Sequence, residues 1–109
     1  MKVELTLVLE NSNNAFEILE KIKLEGFNAT VINTESLRHM IDYYPGEHHF
    51  LSLRQLEKDE LLQSVLCVFI VDDNQLEALK QVIRNQTNRF SLIKGFMYSR
   101  PINDYEGSI

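Results

Sequence analysis

A concentration of positive charge near the C-terminal end is the clearest candidate for a binding site in this sequence. Five basic residues occur between residues 80 and 100, a stretch without any Asp or Glu. Arginine binds phosphate and carboxylate groups through paired hydrogen bonds, so this local excess could form an anion site. The alternative is a solvated helix face followed by strand ends. The basic residues are Lys80, Arg84, Arg89, Lys94 and Arg100.

The three histidines are the second group that could do chemistry. They are His39, His48 and His49, and all three belong to one long segment in the middle of the chain. Imidazole is a common ligand of transition metals, and an oligomer could bring several copies together. Neighbouring residues of a strand point to opposite faces, however, so His48 and His49 could not share a metal without a turn. Solvated surface histidines are the simpler interpretation, and we assign no metal ligand.

No catalytic motif accompanies these groups. Cys67 is the only cysteine and lies inside an apolar run, where a thiol acts as a small hydrophobe with a raised pKa. The sequence contains no nucleophile motif, no paired acid and base carboxylates and no glycine-rich phosphate loop. We therefore expect a protein that is not an enzyme, and the sequence names no cofactor.

Composition indicates an ordinary soluble domain. The 109 residues are 44% hydrophobic and 25% charged, which predicts a single domain over residues 1–109 that buries roughly 65% of its unfolded surface. A net charge of -5 argues against a nucleic-acid partner, and no apolar run approaches the ~20 residues that span a bilayer. One lone cysteine favours the reducing cytoplasm.

Two strand-helix-strand units are expected to position these residues. Lys2–Glu10 alternates apolar and polar residues and predicts a strand, followed by an amphipathic helix that ends at Gly26. Phe27–Asn33 predicts the second strand. In the second unit, the apolar run Val65–Val71 predicts a strand buried on both faces or nearly so, and Phe90–Tyr98 predicts the last strand after another helix.

The two predicted helices resemble each other at an offset of 60 residues. Each begins with an Asn-x-x-Glu pattern, at Asn14 and at Asn74, which predicts a capping box. Chance similarity between amphipathic helices is the alternative. Two such units predict an α+β ferredoxin-like split βαβ sandwich, with βαββαβ order and an antiparallel sheet. Its second sheet face is apolar in this pattern, so we expect an oligomer.

A long segment and a tail complete the predicted domain. Residues 34–63 separate strands 2 and 3 and are too many for a simple hairpin connection, which is typical of a functional loop. Residues 99–109 form a C-terminal tail whose aromatic and apolar residues predict packing on its own or a neighbouring subunit, with fraying after Asp104 as the alternative.

This layout resembles the PII signalling-protein superfamily, whose architecture the CutA-like proteins share. The resemblance runs from Met1 to about Arg100. It is strongest at Gly26–Val31 with Arg38 downstream, and at Phe69–Asn74, which is similar to the third strand of the family and its acidic turn. The resemblance implies a homotrimeric, ferredoxin-like sensor whose long loop contacts a protein partner.

The sequence departs from the family at both glycine-rich loops. PII proteins have a glycine-rich turn ahead of the arginine that Arg38 resembles, where this chain has Glu35-Ser36-Leu37. They also have a Gly-Asp-Gly-Lys type of loop after the second helix, where this chain has Asn85-Gln86-Thr87-Asn88-Arg89. Side chains there would obstruct close backbone approach to a phosphate. This weakens the expectation that ATP or ADP binds in the manner of the family.

In the family arrangement, the loop after strand 2 and the loop after helix 2 of adjacent subunits meet at a cleft. The resemblance therefore implies a regulatory protein that binds a small anionic metabolite or nucleotide between subunits and signals through residues 34–63. The alternatives are a CutA-like divalent-metal-binding protein that uses the loop histidines, and a structural interaction module without a small ligand. The candidate ligand-binding residues are Thr34, Ser36, Arg38, Arg84, Arg89 and Lys94, of which Arg38 and Arg89 are the leading two.

Overall fold

Four strands and two helices make up the described part of the chain. A computed structural model describes residues 1–10, 12–34 and 64–108. A short 3₁₀ turn, Asp73–Gln75, leads into the second helix. In chain order the main elements are β1 (Lys2–Glu10), α1 (Asn13–Leu24), β2 (Thr30–Thr34), β3 (Ser64–Asp72), α2 (Leu76–Thr87) and β4 (Gly95–Ile102).

The strands form one antiparallel sheet in the order β2-β3-β1-β4. The two longest ladders hold β1 in the middle, so that Leu5 lies opposite Phe69 on one side and Ser99 on the other. The predicted α+β class with an antiparallel sheet is confirmed, and the strand order is compatible with a ferredoxin-like fold. None of the described helices is long and apolar enough to cross a membrane.

The hydrophobic core lies between one sheet face and the two helices. Alternate residues of β1 point to this face because strand side chains alternate with a period of two. The helices contribute residues at spacings of three and four, as expected for amphipathic helices. The core residues include Leu5, Leu7 and Leu9 of β1, Ala15, Ile18 and Ile22 of α1, Cys67 and Phe69 of β3, and Leu79 and Ile83 of α2.

β3 was predicted to be buried on both faces or nearly so, and in the described structure only one of its faces is fully buried. Val65, Cys67, Phe69 and Val71 are buried, whereas the residues between them are partly exposed. Both described helices pack on the first face, so neither of them covers the apolar residues on the second. We call this second side the open face. Its apolar residues are Val8, Ile32, Leu66, Val68, Ile70, Phe96, Tyr98 and Ile102.

Both helix starts differ from the predicted caps. Ser12 caps α1, because its Oγ accepts a hydrogen bond of 3.3 Å from the Ala15 N–H. In front of α2, the side chain of Gln75 accepts from the Asp72 N–H at 3.4 Å, within the 3₁₀ turn. Asn14 and Asn74 are thus not the caps. Ser12 lies two residues nearer to β1 than the predicted cap, whereas Gln75 follows Asn74 and reaches back to the last residue of β3.

Two strands are displaced from their predicted positions. The second was predicted at Phe27–Asn33 and runs from Thr30 to Thr34, and the last was predicted at Phe90–Tyr98 and runs from Gly95 to Ile102. Gly95 is required where β4 enters the sheet, because a Cβ there would lie 2.3 Å from the Val8 carbonyl oxygen. Residues 99–102, predicted as the start of the tail, belong to β4.

The described part of the tail packs on its own chain. The Lys2 Nζ lies 5.6 Å from the centre of the Tyr105 ring, a cation–π contact. The same ammonium pairs with the Asp72 carboxylate at 3.0 Å. The tail is thereby held against the start of β1 and the end of β3.

Candidate functional site

Three candidate ligand residues lie at one end of the sheet. Thr34 ends β2 and pairs with Ser64 at the start of β3, and Ser64 also pairs with Glu10 at the end of β1. The Glu10 N–H donates to the Lys94 carbonyl oxygen at 2.8 Å, just before β4. We call this row of strand ends the loop end of the sheet. α2 also ends there, because it runs antiparallel to β3, and this brings Arg89 to the same end.

Thr34 and Lys94 do not converge within one chain. Strands β3 and β1 separate them, and neighbouring strands are about 4.8 Å apart, so their backbones are about 14 Å apart. At this separation one phosphate or carboxylate group bridges them only if Lys94 is extended along the sheet. Residues from different subunits can approach the same small anion without that constraint. The Thr34 hydroxyl is already oriented, since it donates to the Ser64 carbonyl oxygen at 3.3 Å.

The cations at residues 80–100 are not one cluster. Arg84 pairs with Glu77 on α2, with Nη1 and Oε1 2.9 Å apart, and Arg100 pairs with Glu4 on the open face at 3.2 Å. Surface ion pairs of this kind contribute only about 0–1 kcal/mol, so Arg84 can exchange Glu77 for an anion at little cost. Arg89 and Lys94 are exposed in the turn between α2 and β4.

The turn after α2 has an unusual left-handed backbone. Asn88, Arg89 and Phe90 have φ angles of 49°, 57° and 63°. A left-handed conformation costs a non-glycine residue roughly 1–2 kcal/mol, so three in succession require compensating contacts.

Thr87 provides the central contact. Its side chain is fully buried, and its hydroxyl donates to the Ile83 carbonyl oxygen at 2.8 Å while accepting from the Phe90 N–H at 3.2 Å. Three further N–H groups close the turn, from Arg89 to the Arg84 carbonyl, from Ser91 to the Asn88 carbonyl and from Leu92 to the Thr87 carbonyl. The sequence pattern did not single out Thr87, whose only signal is a threonine in the last helical turn before a polar stretch.

These hydrogen bonds decide what the turn can offer a ligand. The N–H groups of residues 89–92 all donate within the turn, so none of the four is free to cradle a phosphate as a glycine-rich loop would. Contacts from residues 89–92 must therefore come from side chains. Those of Arg89 and Lys94 are exposed and positively charged.

We expect Thr87→Val to destabilise the chain by about 1–3 kcal/mol, because it keeps the shape but leaves the part-buried Phe90 N–H without its acceptor. Thr87→Ser is the matched control, since it keeps the hydroxyl and removes one methyl group. Urea unfolding of both variants measures the difference. Equal stability of the valine variant and the natural chain would contradict the role assigned to the hydroxyl.

A separate cleft lies at the opposite end of the sheet. Its volume is about 320 Å³, and its walls include Lys2, Phe27, Thr30, Ile70 and Tyr105. This is the lower end of the volumes that small-molecule sites occupy. The charge of Lys2 is already balanced by Asp72, so we assign no ligand to the cleft.

Other predicted groups have plain outcomes. Cys67 is fully buried, and burial raises the pKa of its thiol to about 11, which confirms its role as a core residue. Ser36 and Arg38 lie outside the described residues, as do His39, His48 and His49. In the ranges that the structure describes, no group of three or more His, Cys, Asp or Glu side chains could hold a metal ion.

Comparison with known proteins adds no family assignment. No protein-family model matches the chain, and no curated protein is significantly similar to it. The resemblance to the PII superfamily therefore stays a prediction.

Proposed function

We propose that this chain is a non-enzymatic, PII-like regulatory protein of the cytoplasm. In this proposal residues 1–109 form one ferredoxin-like βαββαβ domain, and three copies associate through their open faces. A small anionic metabolite or nucleotide binds between subunits at the loop end, and residues 34–63 transmit its presence to a protein partner.

The composition of the open face is the observation that carries the proposal. Phe96 and Tyr98 are each 53% exposed on it, with stacked rings 6.4 Å apart. Leu66, Val68 and Ile70 of β3 continue the apolar surface toward β2. Soluble monomers rarely expose contiguous apolar patches of large area, so this face is suited to burial against other subunits.

The position of the cations supports anion binding between subunits. Lys94 and Arg89 lie at the loop end, and the backbone of Lys94 is about 14 Å from that of Thr34 across the sheet. A second subunit that brought its Thr34 and the residues after it to these cations would complete an anion cleft. The occupied backbone of the turn favours recognition by side chains, which suits a carboxylate or phosphate held by arginine.

Native mass spectrometry with a panel of nucleotides and carboxylate metabolites, and separately with zinc, tests the proposal. A trimer that carries three equivalents of an anion supports it. A monomer that binds no anion contradicts it. Zinc uptake that is lost in His39→Ala would instead establish the CutA-like alternative, and a trimer that binds neither would indicate a structural interaction module.

We expect Arg89→Ala and Lys94→Ala each to weaken anion binding about tenfold or more. A hydrogen bond to a charged group contributes about 1.5–3 kcal/mol, and about 1.4 kcal/mol corresponds to tenfold in affinity. Lys23→Ala is the matched control, because it removes the same charge from the last turn of α1, toward the opposite end of the sheet. Equal losses in all three variants, measured by calorimetry, would indicate net charge rather than a site.

A further inference from the structure

The outer edge of β2 is unusually open for an edge strand. β2 is a terminal strand of the sheet formed by the described residues. Val31 and Ile32 are 49% and 50% exposed, although they point to opposite sheet faces. An edge strand presents unpaired backbone N–H and C=O groups, and natural proteins usually protect such edges with charge, proline or a bulge. Thr30–Thr34 contains neither a charged residue nor a proline.

The opposite edge of the sheet has this protection. β4 contains Pro101, which has no N–H to donate, and Arg100, whose charge is held on the open face by Glu4. Proline and charge on an edge strand discourage pairing with another strand. The two edges of the sheet formed by residues 1–10, 12–34 and 64–108 therefore differ, and β2 is the one better suited to accept a further strand.

We infer that β2 is a dimerisation edge, at which two copies of this chain pair antiparallel about Ile32 and extend the sheet across both subunits. This contact goes beyond the proposed function and does not depend on it, because strand pairing uses the backbone edge of β2 and, of the apolar open-face residues, only Ile32. Its failure would leave the anion site and the open-face contact untouched.

The sequence of β2 matches itself in this arrangement. Pairing about Ile32 puts Ile32 opposite its own copy, Thr30 opposite Thr34 and Val31 opposite Asn33. No like charges face each other, and β-branched residues in directly opposed positions are favourable cross-strand pairs. Both half-exposed apolar side chains gain a neighbour, Ile32 on the open side and Val31 on the helix side. A second copy of the chain is thus the partner that β2 fits.

Cysteine crosslinking tests the register. In this pairing the two copies of residue 32 have Cα atoms about 4.5–5.5 Å apart, within the range that a disulfide spans. Ile32→Cys should therefore form a covalent dimer under mild oxidation. A mixture of Val31→Cys and Asn33→Cys chains should crosslink on the helix side, whereas Val31→Cys alone should not, because its two copies are offset by about 7 Å along the strand.

Two controls separate this contact from others. The natural chain, whose buried Cys67 is its only cysteine, should stay uncrosslinked. An open-face trimer without the edge contact cannot produce the mixed crosslink, because Val31 and Asn33 lie on the other side of the sheet. The inference is supported if the mixture of Val31→Cys and Asn33→Cys chains forms a covalent dimer and the Val31→Cys chain alone does not.

Amide hydrogen exchange tests whether another part of the same chain, rather than a second copy, covers the edge of β2. Failure of both Ile32→Cys and the mixed pair to crosslink overturns the inference. Slow exchange at residues 30–34 in a chain that sediments as a monomer also overturns it, because the edge would then be covered from within the chain. Ile32→Lys should weaken the dimer about tenfold or more, since it puts like charges opposite each other, while Ile32→Val should preserve it.

Discussion

Replacing Phe69 with alanine is expected to lower the free energy of unfolding by about 3–5 kcal/mol. Phe69 is 1% exposed and belongs to the core between the sheet and the helices. Its truncation removes apolar contacts and leaves a cavity that the rigid sheet fills only in part. Natural domains are stable by about 5–15 kcal/mol, so a loss of this size is a large share of the total.

Phe96 provides the matched control for this prediction. It is the same residue type on the opposite sheet face and is 53% exposed. Phe96→Ala should change the unfolding free energy by only about 1 kcal/mol in a dilute sample, where subunits are separate. Urea titrations followed by circular dichroism measure both variants. Equal losses at the two positions would contradict the assignment of the core to one face.

Phe96→Asp is expected to abolish the proposed assembly while each chain stays folded. The substitution puts a carboxylate on the open face beside Tyr98 and opposite Val8. Association would then bury an unpaired charge, which costs several kcal/mol, and about 1.4 kcal/mol is already tenfold in the association constant. Sedimentation velocity across a range of concentrations measures the effect as the loss of the open-face oligomer, which leaves the edge dimer or the single chain.

Phe16→Asp is the control for general effects of added charge. Phe16 is 72% exposed on α1, on the helix side of the sheet. The Phe16 variant should keep the mass of the natural assembly. A Phe96→Asp chain that sediments like the natural protein would show that the open face is not the subunit interface. Loss of the oligomer in both variants would point to charge repulsion.

Local patterns predicted the elements but not their limits. The alternation in Lys2–Glu10 placed β1 correctly, because burial of every second residue leaves a direct trace in the sequence. The prediction for β4 began five residues too early. Phe90 has the composition of a strand residue but lies in the left-handed turn, which depends on the hydroxyl of Thr87. Residue composition alone does not predict that the hydroxyl of a buried threonine holds this turn.

The candidate site was predictable only in part. Arg84, Arg89 and Lys94 are visible as cations without acidic neighbours in the sequence. Their different surroundings cannot be read from the sequence. Arg84 has an ion pair with Glu77, whereas Lys94 borders the end of β1. Strand order sets these relations, and it depends on which distant residues pair.

The sequence by itself determined the α+β class, the two helices, the apolar strands and the local excess of positive charge. Each of these follows from side-chain type and spacing within about a dozen residues. The tertiary structure alone decided that the described helices cover only one face of β3 and that β2 is an edge strand of the sheet formed by the described residues. It also brought Thr34 and Lys94 to one end of the sheet, with the strands β3 and β1 between them. These properties depend on pairing between segments far apart in the chain, which no local pattern contains.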